Sequence, residues 1–150
     1  MADNLTIRTA RRDDARLLWE WRNAPEVRAV SLDSEPIPFD QHRQWFERSL
    51  TNPDRDIIIA EMGSTPAAMI RFDHDNDVAN ISIILASEIR GKGMAKQILS
   101  SAIEDMRPRP QTLCALIKPE NSPSLALFRS VGFEVLQDGD PLVLVMAAPG

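Results

Sequence analysis

The chain has 150 residues, of which 43% are hydrophobic and 26% charged, with 17 Lys and Arg against 22 Asp and Glu. This length suggests one domain over residues 1–150, and a domain of that size buries roughly 70% of its unfolded surface without staples. The net charge of −5 argues against a general binder of nucleic acid polymers, which needs a basic excess to neutralise phosphates. It leaves room for a local basic pocket.

Cys114 is the single cysteine, which excludes an intramolecular disulfide and a cysteine-based zinc site. His42 and His74 are too far apart in sequence to form a metal motif, so no metal is expected. The opening "MADNLTIRTA" has no apolar h-region. No run approaches the roughly 18 apolar residues of a membrane span. The expectation is a cytoplasmic protein with no membrane partner.

In chain order, "NLTIRTA" alternates Leu5, Ile7 and Thr9 against Thr6 and Arg8, a short strand. "RRDDARLLWEWRNA" reads as a helix capped at Asp13 or Asp14, with Leu17, Leu18 and Trp21 on one face. Pro25 ends it or forces a turn. "SEPIPF" is loop. "DQHRQWFERSL" is a second helix, with Asp40 as its cap and Trp45, Phe46 and Leu50 on the apolar side. "DIIIAEM" and "AAMIRF" are strands joined by the turn "GSTP". "DHDND" reads as a polar hairpin tip, and "VANISIILA" as the longest strand, buried on both faces. "GMAKQILSSAIEDM" sets Met94, Ile98, Leu99, Ala102 and Met106 at helical spacing before "RPRP" breaks it. "TLCALIK" is a strand and "PENSPSLALFRSV" a short helix with an N-terminal proline, ended by Gly132. "FEVL" and "PLVLVMA" close the chain as strands. The order β-α-α-β-β-β-α-β-α-β-β is that of an α/β protein with a mixed sheet flanked by helices.

The stretch "SEIRGKGMAKQIL" sets Gly91 and Gly93 where a helix begins after a buried strand. A helix N-terminus leaves N–H donors free and carries about half a positive charge. Small residues let a phosphate approach those donors, and Arg90, Lys92 and Lys96 add charge beside them. The Walker pattern fails from either glycine, and G-x-G-x-x-G fails because Lys96 stands where its last glycine belongs. Alone, the stretch reads equally as a pyrophosphate cradle or as a strand-to-helix turn with solvated lysines.

Arg90-Gly91-Lys92-Gly93-Met94-Ala95 resembles the R/Q-x-x-G-x-G/A loop of the GCN5-related N-acetyltransferases, the GNAT family. Downstream, "NSPSLALFRSVGF" resembles that family's N-x-x-S-x-x-L-[YF]-x-x-x-G-F segment, with a helix and a strand between the two. The resemblance spans nearly the whole chain. It implies a mostly antiparallel mixed sheet of six to seven strands, splayed in the middle and flanked by about four helices. It also implies acetyl-CoA as co-substrate. The pyrophosphate would lie on the amides from Gly91 through Lys92, Gly93, Met94 and Ala95 to Lys96. The pantetheine arm would lie in the splay, held by Ile83, Ile84 and Leu85 and faced by Asn121 and Ser124. Arg129 would reach a CoA phosphate or stay solvated.

The implied reaction is direct attack of a neutral primary amine on the thioester. It needs an acceptor for the amine proton, donors for the oxyanion and a proton for the leaving thiolate. Many relatives place a tyrosine where this chain has Phe128, and the chain contains no tyrosine. Phe128 can pack on the cofactor but cannot donate. Ser124, Ser122 or water would donate instead, or the thiolate leaves unassisted. His42 is the first candidate base, its ordinary pKa lying near 6.5; the alternative is an exposed or capping histidine. Glu61 is the second candidate. Glu88 and His74 read as solvated loop residues, and Cys114 as a strand thiol.

Trp21-Arg22-Asn23 through Arg28, followed by His42 through Phe46, resembles family members that acetylate 4-amino sugar nucleotides, nearest to the pseudaminic acid type. N-terminal acetyltransferases of ribosomal proteins share a looser version. Arg22 and Asn23 would face the acceptor, Arg22, Arg28, Arg43 and Arg71 would bind a diphosphate, and Trp21 and Trp45 would stack on base or sugar or pack in the core. A non-catalytic acyl-CoA-binding module is the alternative of another class. Dimers are common in the family, so a homodimer is compatible with this reading.

Overall fold

The protein is described by a computed structural model covering residues 4–90 and 93–148. Strand β1 is Leu5–Thr9; a 3₁₀ turn at Arg12–Asp14 leads into helix α1, Ala15–Asn23. Helices α2 (Pro25–Arg28) and α3 (Phe39–Leu50) follow, then strands β2 (Arg55–Met62), β3 (Thr65–Asp75) and β4 (Val78–Leu85). After a 3₁₀ turn at Ser87–Ile89 come α4 (Ala95–Asp105), β5 (Thr112–Ile117), α5 (Ser122–Ser130), β6 (Glu134–Gln137) and β7 (Leu142–Ala147). The expected element order holds, with α2 as an additional helix.

Proline chemistry explains the breaks. Ala24 precedes Pro25 and is extended at ψ 132°, as the pyrrolidine ring requires of its neighbour, so α1 stops there. Pro25 then serves as the first residue of α2, where a missing N–H costs nothing. Helix α3 starts two residues earlier than an Asp40 cap implies, behind Pro38, with no side-chain cap. Asp40 therefore sits inside the first turn, where its charge complements the helix dipole, and is not the cap. At the end of α5, the Phe133 N–H donates to the Phe128 carbonyl and the Gly132 N–H to that of Arg129, both at 3.1 Å. This is a Schellman closure, with Gly132 at φ +117°.

The seven strands form one sheet in the order β1-β2-β3-β4-β5-β7-β6. Every pairing is antiparallel except β4 with β5. Helices α1 and α3 cover one face around Leu18, Phe46, Ile57, Ile59 and Met69. Helices α4 and α5 cover the other around Ile70, Phe72, Ile98, Leu99, Leu113 and Phe128. Burying a side chain such as Phe46 contributes about 1.5–3 kcal/mol, and Phe46 is 0% exposed. At the outer edge, Asp14 takes two 2.8 Å hydrogen bonds from the Arg8 guanidinium, tying β1 to the start of α1.

The parallel junction is short. Only Val78, Ala79 and Asn80 of β4 pair with Thr112, Leu113 and Cys114 of β5. Beyond them β4 stays with β3 through Leu85, and β5 stays with β7 through Ile117. The two strands thus part, and the edge of β4 from Ile81 to Leu85 faces the gap with no strand partner. Unpaired strand edges present N–H and C=O groups to whatever lies alongside.

Candidate active site

The gap leads in the chain directly to the start of α4, with only the turn Ser87–Ile89 and the Gly-rich loop between β4 and α4. Met94 occupies the N-cap of α4 and no side chain caps it. The first N–H groups of α4 are therefore free of helical partners, as at any helix start. Gly93 has φ +75°, a conformation that favours glycine, and a Cβ built there would meet no atom within 4 Å. The protein itself leaves this space open, so glycine is needed here for backbone conformation and not to relieve an internal clash. Gly91 and Lys92 lie outside the described residues. Lys96 is exposed, and Met94 and Ala95 are half-buried.

Arg90 is occupied within the fold. Its Nε and Nη2 donate to the Leu85 carbonyl at 3.2 and 2.9 Å, and Nη1 lies 3.3 Å from Glu26 of α2. It ties the last residue of β4 to α2. Ile83 and Leu85 pack partly against the α4–α5 layer, and Ile84 against the α1–α3 layer. Across the gap, the Asn121 carboxamide oxygen caps α5 by accepting the Ser124 N–H at 3.3 Å. The Ser124 hydroxyl makes no hydrogen bond among the described residues.

Phe128 departs from expectation. It is 2% exposed and meets Phe133 edge to face, with centroids 5.0 Å apart. Protein atoms already cover the ring, so it belongs to the core and not to a cofactor surface. His42 departs too. It is 2% exposed, stacked parallel to Phe46 at 6.0 Å and tilted against Trp45 at 5.8 Å. Neither ring nitrogen reaches hydrogen-bonding geometry. Burial, and after it the Arg22 charge, push its pKa below the ordinary value; the nearby Ala15 backbone opposes them without reversing the shift. An enclosed imidazole cannot touch an acceptor, so the expected surface base is a neutral core ring. His42 on α3 and Ser124 on α5 also lie on opposite faces of the sheet.

Asn23 has a structural task. Its carboxamide donates to the Ile37 carbonyl at 2.8 Å and accepts the Ile37 N–H at 2.9 Å. Trp19 Nε1 donates to the same carbonyl at 2.6 Å. Together they fasten the loop between α2 and α3. Arg28 donates to the Asn23 carbonyl at 3.1 Å, and Arg43 pairs with Glu47 at 3.2 Å, so neither gathers at the sheet. Trp21 is half-buried against the α1–α3 core. Glu61 lies 3.5 Å from Arg8 at the outer edge of the sheet. His74 is not in a hairpin tip: β3 runs to Asp75, Asn76 makes the turn at φ +56°, and His74 Nε2 lies 3.0 Å from Asp56. Burial raises the Cys114 pKa, so the thiol stays protonated.

What does gather is a basic group around Trp45. The guanidinium carbons of Arg22, Arg55 and Arg71 lie 5.2, 5.4 and 5.5 Å from its ring centre. Asp73 contacts both Arg55 and Arg71. Arg55 and Asp73 were not singled out in the sequence. They face each other directly in the β2–β3 register, and the signal that would have found them is the strand pairing itself. Beside this group a cavity of about 220 Å³ opens among Leu32, Arg71, Asp73, Asn80, Ile81, Ser82 and Leu116. It reaches the point where β4 and β5 part. A larger hollow of about 280 Å³ lies near the far end of α4, among Arg8, Asp56, Met106 and Arg107, and does not touch the gap.

A mixed sheet opened between its parallel strands β4 and β5, with an uncapped helix start following the opening in the chain, is the geometry implied for the GNAT family. The profile of the acetyltransferase (GNAT) domain family matches residues 4–134. The chain belongs to this family. It is 30% identical over 139 residues to YwnH of Bacillus subtilis (strain 168), covering 86% of this chain and 83% of that protein, whose name assigns it provisionally as a phosphinothricin acetyltransferase. Its fold matches the spermidine N-acetyltransferase of Vibrio cholerae in complex with CoA and spermine, at TM-score 0.86 and 18% identity, over 96% and 95% of the chains. It also matches the aminoglycoside acetyltransferase AAC(6')-Ib in complex with coenzyme A, at TM-score 0.81 and 17% identity, over 96% and 95%. The chain is an acetyl-CoA-dependent N-acetyltransferase. Among the described residues, no helix is long and apolar enough to cross a membrane.

Proposed function

We propose that this chain, as one catalytic domain in the cytoplasm, moves an acetyl group from acetyl-CoA to the primary amine of a small molecule by direct attack. The observation that carries this reading is the unpaired edge of β4 from Ile81 to Leu85, running beside the uncapped start of α4. The free amides from Gly93 to Lys96 suit the pyrophosphate, with Gly91 and Lys92 completing the loop. Strand groups near Ile83 and Ile84 suit the pantetheine amides. Arg90 holds the end of this edge in place through the Leu85 carbonyl. Asn121 and Ser124 would close the other side.

Acetyl-CoA supplies the acetyl thioester. The chain's part is to align it, to offer a β4 N–H to the developing oxyanion and to return a proton to sulfur. The unengaged Ser124 hydroxyl is our candidate for that proton. The amine proton leaves to water, since His42 is enclosed; His42 supports Trp45 instead. On the acceptor, the resemblance carried by the Trp21–Arg28 segment, with Arg71 in the cavity wall, favours an amino sugar nucleotide over a protein N-terminus. The cavity, at about 220 Å³, falls below the roughly 300–1,000 Å³ of drug-sized pockets, so only the amine-bearing part would enter it. A homodimer is compatible with all of this.

Isothermal titration with acetyl-CoA, beside a thiol-release assay over a panel of amines, tests the reading. Binding with turnover of a small amine is expected. Binding without turnover of any amine favours a carrier module, and no binding removes the proposal. Protection against heat by free UDP would select the sugar-nucleotide acceptor.

A further inference from the structure

The Trp45 group holds three positive charges and one carboxylate. Asp73 is shared: it binds Arg55, and it lies 3.0 Å from Arg71 Nε without hydrogen-bond alignment, leaving that buried nitrogen with no hydrogen bond. Arg55 is further held by the Ser49 hydroxyl at 2.9 Å. Arg22 has no hydrogen bond and no ion pair among the described residues, only the face of Trp45. Burial first, and then the neighbouring Arg71 charge, lower the Arg22 pKa, with Asp33 opposing. A half-buried guanidinium beside like charges is a cost to the free protein. An arginine fork that faces a cavity matches carboxylate and phosphoryl oxygens.

The position of the group matters as much as its charge. Arg71 lies at once beside Trp45 and in the wall of the 220 Å³ cavity. Across the sheet register it faces Ser82 of β4, two residues past the last β4–β5 pair. A molecule anchored on Arg71 therefore extends toward the gap by one strand spacing.

We propose that the acceptor carries an anionic carboxylate or phosphoryl group, clamped by Arg22 and Arg71 against Trp45, while its primary amine reaches the β4–β5 gap beside Ser82. This rests on the acetyl transfer proposed above and names the charge and the side chains by which the acceptor is held. Polycationic amines are poor acceptors at this site, because three guanidiniums oppose them.

The test is steady-state thiol release with four probes: glutamate, 2-aminoethylphosphonate, a UDP-linked 4-amino sugar and spermidine. At least one anionic probe is expected to exceed spermidine in kcat/KM by about 100-fold. Which one does so separates carboxylate from phosphoryl recognition. Arg22→Gln and Arg71→Gln are expected to raise KM for that probe about 10–100-fold, to leave kcat within a few-fold and to leave acetyl-CoA affinity unchanged. Arg22→Lys keeps charge without the fork and should fall between. Spermidine as the best substrate, or an unchanged KM in both Gln variants with their melting curves intact, overturns the proposal. If no probe is turned over, titration of 2-aminoethylphosphonate and glutamate into the CoA-loaded protein still decides it. Binding lost in Arg22→Gln keeps the anion site while the acceptor proposed above fails. Absence of binding by both removes the anion site.

Discussion

The two halves of the candidate site are built from different materials. The cofactor half is backbone: free amides at the start of α4, an unpaired edge on β4 and Gly93 at φ +75° with open space beside it. The acceptor half is side chain: three guanidiniums around Trp45, with Asp73 between two of them. Backbone recognition suits a part of the substrate that never changes, since N–H geometry follows from the fold. Side-chain recognition can be rewritten one residue at a time. The chemistry common to the family would thus reside in the first half and the choice of amine in the second.

Breaking one half should leave the other standing. Gly93→Val places a β-branched residue at a positive φ and a side chain where the pyrophosphate would approach. The strain costs about 1–2 kcal/mol in stability, and acetyl-CoA affinity is expected to fall about 100-fold, or some 2.7 kcal/mol. Calorimetry should show this with the binding of an anionic acceptor retained. Arg71→Gln should do the reverse, with acceptor KM raised and acetyl-CoA binding intact. Equal loss of both ligands in either variant would deny the division.

A smaller effect tests the missing tyrosine. Phe128→Tyr sets a hydroxyl in a site that is 2% exposed and already filled against Phe133. An unpartnered buried hydroxyl costs about 1–3 kcal/mol, so a lowered melting temperature without gain in kcat is expected. A rise in kcat would put position 128 at the leaving thiolate after all. The smallest effect concerns His42. Its folded pKa lies below the unfolded value near 6.5, so the unfolded chain binds the proton more readily. The stability this contributes is present above about pH 6.5 and declines as pH falls toward the folded value. His42→Gln should flatten that slope in melting curves taken from pH 7.5 to 5, and should leave no matching change in the pH profile of kcat.

Much of the cofactor half was legible because its parts are contiguous. Arg90 to Ala95 and Asn121 to Phe133 are single segments, and the element order around them follows from hydrophobic periodicity and proline placement. The acceptor half draws on α1, α3, β2 and β3, and its assembly depends on strand register. Arg22, Trp45 and Arg71 were visible as residue types, but Arg55 and Asp73 become neighbours only through the β2–β3 pairing. Asn23 misled because its chemistry suits a ligand as well as it suits the backbone of Ile37. "DHDND" misled because its composition suits a turn, while the strand carried it to Asp75 before turning.

A crystal structure with CoA bound tests the central claim most directly. The account predicts the pyrophosphate on the amides at the start of α4 and the pantetheine arm alongside Ile83 and Ile84, between β4 and β5. CoA seated elsewhere, such as the larger hollow near Arg8 and Arg107 at the far end of α4, with the β4–β5 gap empty, would contradict it.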